Sequence, residues 1–71
     1  MSPKRKIDPL VQLLADTRRE LGWSQQRMAD HLGVSQSAFS EWVTGTVRPE
    51  LGTVRRLLDV LGYDIVAVKR Q

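Results

Sequence analysis

Apolar residues recur every three or four positions along most of the chain, which is the spacing of one face of an α-helix. The first such run predicts a helix over Pro9–Leu21. Asp8 followed by Pro9 suits a helix start, and Gly22 suits a helix end. The apolar positions of this helix are Leu10, Leu13, Leu14 and Leu21.

Two short helical runs follow, separated by only three residues. Ser24 can cap a helix over Gln25–Leu32, and Ser35 can cap another over Gln36–Val43. Gly33 between them can adopt a positive φ angle. Two short helices joined by a tight turn that contains glycine are the sequence form of a helix-turn-helix.

The spacing of residues within this pair supports the same interpretation. With Gln25 as the first position, Ala29 is small enough for close helix packing and Gly33 allows a sharp turn. The other matching positions are apolar and would hold the two helices at a fixed angle, so that one crosses the DNA backbone while the other enters the major groove. These apolar positions are Met28, Leu32, Val34, Phe39 and Trp42.

The last two segments differ in character. Leu51–Leu61 has helical periodicity and predicts a fourth helix that Gly62 ends. Tyr63–Lys69 is β-branched and aromatic, which predicts a short C-terminal β-strand. A single strand has nothing to pair with in an otherwise helical chain.

A known pattern runs through and around the two short helices. The residues that carry it are Leu21–Gln25, Met28, Ala29, Gly33–Ser37, Phe39, Ser40, Trp42 and Gly45. Together they resemble the lambda repressor/Cro type of helix-turn-helix, also called the XRE family. The resemblance runs from about Pro9 to Leu61. It implies a compact helical bundle that binds an inverted-repeat operator as a homodimer and usually represses transcription.

The resemblance also implies which residues contact DNA. The positions that match base-reading residues are Gln36, Ser37 and Glu41, with Ser40 as a second-rank candidate. The chemistry agrees, since Gln can pair with adenine and Glu can accept a hydrogen bond from cytosine N4. The positions that match backbone contacts are Gln25 and Thr44, with Ser35 as a second-rank candidate. Arg48, in the loop that follows, is a candidate contact to the DNA backbone or to the minor groove.

One position departs from the family pattern. Many relatives pair an Arg in the first helix with a Glu near the end of the recognition helix. Here Arg18 matches the first position, but Val43 occupies the second. Arg18 is therefore expected either to find another partner or to face DNA.

The C-terminal tail also departs, because a β-prone segment replaces the fifth helix that lambda-like domains usually have. This arrangement is similar to HipB-type antitoxins, in which strands from two subunits pair. It implies dimerisation through Tyr63, Ile65, Val66 and Val68. The predicted fold class is therefore all-α: a compact four-helix lambda-repressor-like helix-turn-helix domain with a short C-terminal β-strand for dimer pairing.

Charge is concentrated at the chain ends. The 71 residues carry a net charge of +3, yet Ile7–Val68 holds six Arg against eight acidic residues. Lys4, Arg5 and Lys6 form either an ordinary solvated terminus or a basic arm that reaches the DNA backbone. The expected organisation is a basic arm over residues 1–7, a DNA-binding domain over 8–62 and a dimerising strand over 63–71.

Composition excludes several other classes of protein. The absence of Cys excludes disulfides, thiolate zinc sites and a Cys nucleophile. His31 has no second His to complete a metal site, and no Ser has a visible His partner for catalysis. Trp23 and Trp42 are either base-stacking or packing residues, and their positions favour packing. We expect no enzyme activity, no cofactor and no metal.

The chain has neither an apolar run long enough to span a membrane nor a signal peptide, so we expect no membrane partner and a cytoplasmic location. The predicted function is a sequence-specific DNA-binding transcriptional regulator that recognises double-stranded DNA as a homodimer through residues 36–43. The alternative is an antitoxin that binds a partner toxin and represses its own operon.

Overall fold

The computed structural model describes residues 7–71 and contains four helices within them. These are α1 (Pro9–Leu21), α2 (Gln25–Leu32), α3 (Gln36–Val43) and α4 (Leu51–Val60). The predicted four-helix fold is therefore confirmed. The first three helices have the predicted bounds, and α4 ends one residue before the predicted Leu61.

Local capping explains where the first three helices begin. The Asp8 carboxylate accepts a hydrogen bond from the backbone N–H of Leu10 at 2.8 Å. The Ser24 and Ser35 hydroxyl oxygens each accept a backbone N–H three residues further on, at 3.1 Å. These bonds satisfy donors that an α-helix leaves unpaired in its first turn. Helix α4 begins after Glu50 without a side-chain cap.

The core forms where α3 packs against α1 and α2 and where α1 packs against α4. Phe39 of α3 is fully buried and is the largest of the fully buried side chains. The remaining buried members of the core cluster are Val11, Leu14, Met28, Ala29, Leu32, Val54, Leu57 and Leu58. All four helices thus contribute to one apolar core, and this core fixes the orientation of α3.

The C-terminal tail differs from the sequence-based prediction of a β-strand, because residues 63–71 form no β-strand. The backbone N–H of Tyr63 instead donates to the Leu58 carbonyl at 2.8 Å and closes the turn after α4. Ile65 packs against the core, whereas Val66 and Val68 are 73% and 84% exposed. A β-prone composition makes a strand only where another strand offers hydrogen-bond partners, and this helical domain offers none. The predicted β-strand was wrong, whereas dimerisation through Tyr63, Ile65, Val66 and Val68 stays a prediction.

The predicted basic arm lies almost wholly outside the described residues. Lys4, Arg5 and Lys6 are not among them, so the expected backbone contacts of these residues stay predictions. Ile7, the last residue assigned to the arm, is half-buried and packs against the core. Its packing places Ile7 with the helical domain.

Candidate nucleic-acid interface

The turn between α2 and α3 consists of Gly33, Val34 and Ser35. Gly33 has a φ angle of +73°, in the left-handed region that glycine adopts without a Cβ clash. The N–H groups of Gly33 and Val34 donate to the carbonyls of Asp30 and Ala29 at 3.2 and 3.0 Å, which closes the end of α2. Val34 then packs against the core. The turn is therefore held both by backbone hydrogen bonds and by burial.

Helix α3 presents two different faces. Phe39 is fully buried, and Trp42 and Val43 pack beside the core. Ser37 and Glu41, four residues apart, are exposed on the opposite side of the helix. Two further predicted residues extend this polar surface: Gln36 is exposed in the first turn, and Ser40 is half-buried. The predicted base-reading residues thus share one accessible polar surface, which we call the reading face (Gln36, Ser37, Ser40 and Glu41).

The starts of α2 and α3 supply hydrogen-bond donors. Ser24 and Ser35 each use the hydroxyl oxygen to accept a backbone N–H, so each hydroxyl hydrogen remains available to donate. Gln25 follows Ser24 as the first residue of α2, where the backbone N–H has no partner within the helix. Ser24 was missed in the sequence analysis as a candidate phosphate contact. Its role as helix cap was the signal that could have identified it.

The loop after α3 is held tightly by the Glu41 carbonyl, which accepts the N–H groups of Thr46 and Val47 at 2.9 and 3.2 Å. The Thr44 hydroxyl lies 2.8 Å from the Ser40 carbonyl and 3.1 Å from the Thr46 hydroxyl. Because a carbonyl can only accept, the Thr44 hydrogen points to Ser40, and the Thr46 hydroxyl donates to Thr44. Thr44 would have to exchange its internal bond before it could donate to a phosphate.

Arg48 lies further along the same loop and is exposed. Its guanidinium makes no hydrogen bond or ion pair with any other residue from 7 to 71. This side chain is therefore available to an anion. The DNA contact expected of Arg48 stays a prediction.

Arg18 has a hydrogen-bond partner within the domain. Its Nη1 donates to the backbone carbonyl of Trp23 at 2.8 Å, and the side chain is half-buried. Val43, at the position of the missing Glu, packs against the core. Arg18 therefore ties the end of α1 to the residue that precedes the Ser24 cap.

Both tryptophans pack rather than stand free. The Trp23 ring meets the His31 ring edge-on at 5.0 Å between centroids, and the Arg27 guanidinium lies 4.6 Å from the centre of the Trp23 ring. Such a cation–π contact is attractive by about 0.5–1 kcal/mol at an exposed site. Trp42 packs against the core. These contacts agree with the packing interpretation of both residues.

Residues 7–71 contain no group of three or more His, Asp or Glu side chains that could hold a metal ion. In the same residues, no helix is both long and apolar enough to cross a bilayer.

Comparison with known proteins supports the helix-turn-helix assignment. A family described as a helix-turn-helix domain matches residues 9–70. The match covers most of the chain, including the tail after α4, so the chain belongs to this family. The helix-turn-helix part of the lambda repressor/Cro-type resemblance is thereby confirmed, whereas the antitoxin-like strand is not.

One curated relative is similar over part of its length. The chain is 39% identical over 49 residues to the SPbeta prophage-derived uncharacterized HTH-type transcriptional regulator YonR of Bacillus subtilis. The alignment covers 69% of this chain but only 45% of that protein. No solved structure gives a significant match.

Proposed function

We propose that this protein is a sequence-specific DNA-binding transcriptional regulator that represses by binding an inverted-repeat operator as a homodimer. The observation that carries the proposal is the reading face of α3, which lies opposite the buried Phe39 on a helix-turn-helix scaffold. An α-helix with an exposed polar side fits the major groove of B-DNA. The similarity to a protein named as a transcriptional regulator supports the same role.

The reading face offers a defined set of base contacts. The Gln36 amide is suited to donate to N7 and accept from N6 of adenine, and the Glu41 carboxylate is suited to accept from N4 of cytosine. Ser37 and Ser40 are permissive, because a hydroxyl both donates and accepts. We infer an operator half-site that contains adenine and cytosine at neighbouring positions.

The surrounding donors position the protein on the DNA backbone, since phosphate contacts fix register and carry no sequence information. Helix N-termini favour anions, which assigns this role to Gln25 and Ser35. The proposed backbone contacts are Gln25, Ser35, Thr44, Arg48, Lys4, Arg5 and Lys6. Because such contacts release counterions, the logarithm of the affinity should fall linearly with the logarithm of the salt concentration.

Replacement of Gln36 by Ala tests the reading role. Operator sites are first selected from a random DNA pool with the native protein, and affinities are then measured for the best site and for single-base variants of it. We expect Gln36→Ala to lose about 1–3 kcal/mol of binding free energy and to lose discrimination at one or two base positions.

Gln26 offers the matched control for that experiment. It is exposed on α2 and its amide donates to Asp30 at 2.7 Å, away from the reading face. Gln26→Ala should leave both affinity and discrimination unchanged. An equal loss for Gln36→Ala on every DNA sequence would contradict the reading role.

The proposed homodimer interface is the apolar surface at the end of the chain. Val60, Tyr63, Val66 and Val68 are 44%, 37%, 73% and 84% exposed. Apolar side chains left in water favour association, because burial yields about 25 cal/mol per Å² of apolar surface. The two copies would pack these side chains together and place their recognition helices about 34 Å apart on DNA.

Charges introduced at Val66 and Val68 test this interface. Both side chains point into solvent in the single chain, so Val66→Lys combined with Val68→Lys should leave the helical content unchanged. We expect light scattering to give the mass of a monomer for this variant and of a dimer for the native protein. Ala67→Lys is the matched control for added charge, and a dimer that survives the double substitution would place the interface elsewhere.

The antitoxin hypothesis uses the same exposed side chains for a different partner. An apolar tail that packs on a toxin would be covered in the hetero-complex instead of in a homodimer. Co-purification of the protein with the product of a neighbouring gene, lost in the Val66→Lys, Val68→Lys variant, would favour this second role.

A further inference from the structure

A groove of about 490 Å³ lies on the side of the domain formed by the start of α1, the loop after α3 and the start of α4. This volume falls within the range of about 300–1,000 Å³ that is typical of small-molecule sites. The groove is lined mainly by apolar side chains, among them Leu10, Val11, Trp42, Val47, Leu51 and Val54.

Two of the apolar lining residues are exposed to solvent. Leu51 is 65% exposed and Val47 is 42% exposed. Trp42, by contrast, is half-buried, with its inner side packed against the core. An apolar body placed in the groove would therefore cover Leu51 and Val47 and would contact Trp42.

The charged lining residues, Asp8 and Arg48, define the chemistry of the occupant. The Asp8 carboxylate already caps α1 through Leu10, at 2.8 Å. The Arg48 guanidinium has no hydrogen bond or ion pair within residues 7–71. A guanidinium can bind both oxygens of a carboxylate at once. Among the described residues that line the groove, Arg48 is the one positively charged residue, so an anion is favoured at its guanidinium, and the apolar side chains favour an apolar group beyond it.

We propose that the groove binds a small aryl-alkyl carboxylic acid, with the carboxylate on Arg48 and the aromatic body against Trp42, Val47 and Leu51. Arg48 is also a proposed contact to the DNA backbone, so the acid competes with phosphate and acts as an inducer. The inducer role of the acid rests on the proposed function, whereas the binding of the acid in the groove does not.

Binding is tested on the full chain with 3-phenylpropionate and its uncharged counterpart 3-phenylpropanamide, by calorimetry and by NMR of the labelled protein. We expect one acid molecule per chain, with shifts of the Trp42 indole N–H and of the Val47 and Leu51 methyl groups. The amide should bind about tenfold more weakly, because it lacks the charge-assisted hydrogen bonds. Arg48→Gln should weaken binding of the acid by a similar factor and leave binding of the amide unchanged.

Two variants guard against non-specific attraction of the acid. Arg55→Gln removes another exposed Arg, one that lies in α4 and does not line the groove, and it should leave binding unchanged. Lys4→Gln, Arg5→Gln and Lys6→Gln together remove the N-terminal cluster of positive charge. Failure of the acid to bind, or a loss of binding that follows this triple variant instead of Arg48→Gln, would overturn the proposed site.

The regulatory step has its own readout. Saturating 3-phenylpropionate should reduce the operator affinity of the native protein several-fold and should not affect the weaker complex of Arg48→Gln. If the acid binds in the groove and operator affinity does not change, the inducer role is wrong and the binding site stands. If no DNA binds at all, the proposed function fails independently of the groove.

Discussion

Phe39→Ala is expected to destabilise the fold by about 3–5 kcal/mol. Phe39 is fully buried in α3, and α3 is the helix that packs against both α1 and α2. Truncation leaves a cavity at their junction as well as losing the apolar burial. A core of this size rarely supplies more than about 3–5 kcal/mol of net stability. Most molecules of the variant should therefore be unfolded at 25 °C.

Urea denaturation followed by circular dichroism at 222 nm measures this effect. The protein concentration is kept fixed, because dimerisation adds to the apparent stability. Phe39→Leu is the matched control: it retains most of the apolar volume and should cost less than about 1.5 kcal/mol. A Phe39→Ala variant with the urea midpoint of the native protein would show that this junction does not stabilise the domain.

The helices could be predicted from sequence because local chemistry determines their ends. Asp8, Ser24 and Ser35 cap the helices through atoms only two or three residues away. Gly22 and Gly33 end α1 and α2 with positive φ angles, which few other residues adopt without strain. Such signals lie within one turn of the boundary that they determine.

The features that could not be predicted depend on contacts that form only in the folded chain. Residues 63–69 have the composition of a strand, but a strand depends on a partner that composition cannot supply. Arg18 could not be assigned a partner, because a backbone carbonyl such as that of Trp23 carries no sequence signal. The groove near Arg48 could not be predicted, because its lining comes from three separate segments that only the fold brings together.

The exposure of the reading face could be predicted from sequence, whereas the hydrogen bonding of the polar groups near it could not. The alternation of buried and exposed positions along α3 follows from helical spacing, so the exposure of Ser37 and Glu41 could be expected. The hydrogen bonding of Thr44 could not, because its hydroxyl turns back to Ser40 within the folded loop. Exposure alone therefore did not identify which polar groups are available to DNA.

Gln25→Glu should separate the stability of the fold from its binding to DNA. The substitution is nearly isosteric and places a negative charge in the first turn of α2. A carboxylate there interacts favourably with the helix dipole, so stability should rise by about 0.3–1 kcal/mol. The same charge would face a phosphate in the proposed complex. Like charges brought together cost several kcal/mol, so operator affinity should fall on the order of 100-fold.

Two matched variants divide this loss into its physical causes. Gln25→Ala removes the contact without adding charge and should weaken binding less than Gln25→Glu does. Gln26→Glu adds the same charge one residue further along α2, where the side chain is exposed beside Asp30, and should lower affinity only slightly.

The affinities are compared by fluorescence anisotropy on one selected operator at two salt concentrations. Salt screens the repulsion between the introduced carboxylate and the phosphate, so the difference in operator affinity between Gln25→Glu and Gln25→Ala should decrease as the salt concentration rises. Equal affinities for these two variants at low salt would place Gln25 away from the phosphates, and the orientation proposed for α2 on DNA would then be wrong.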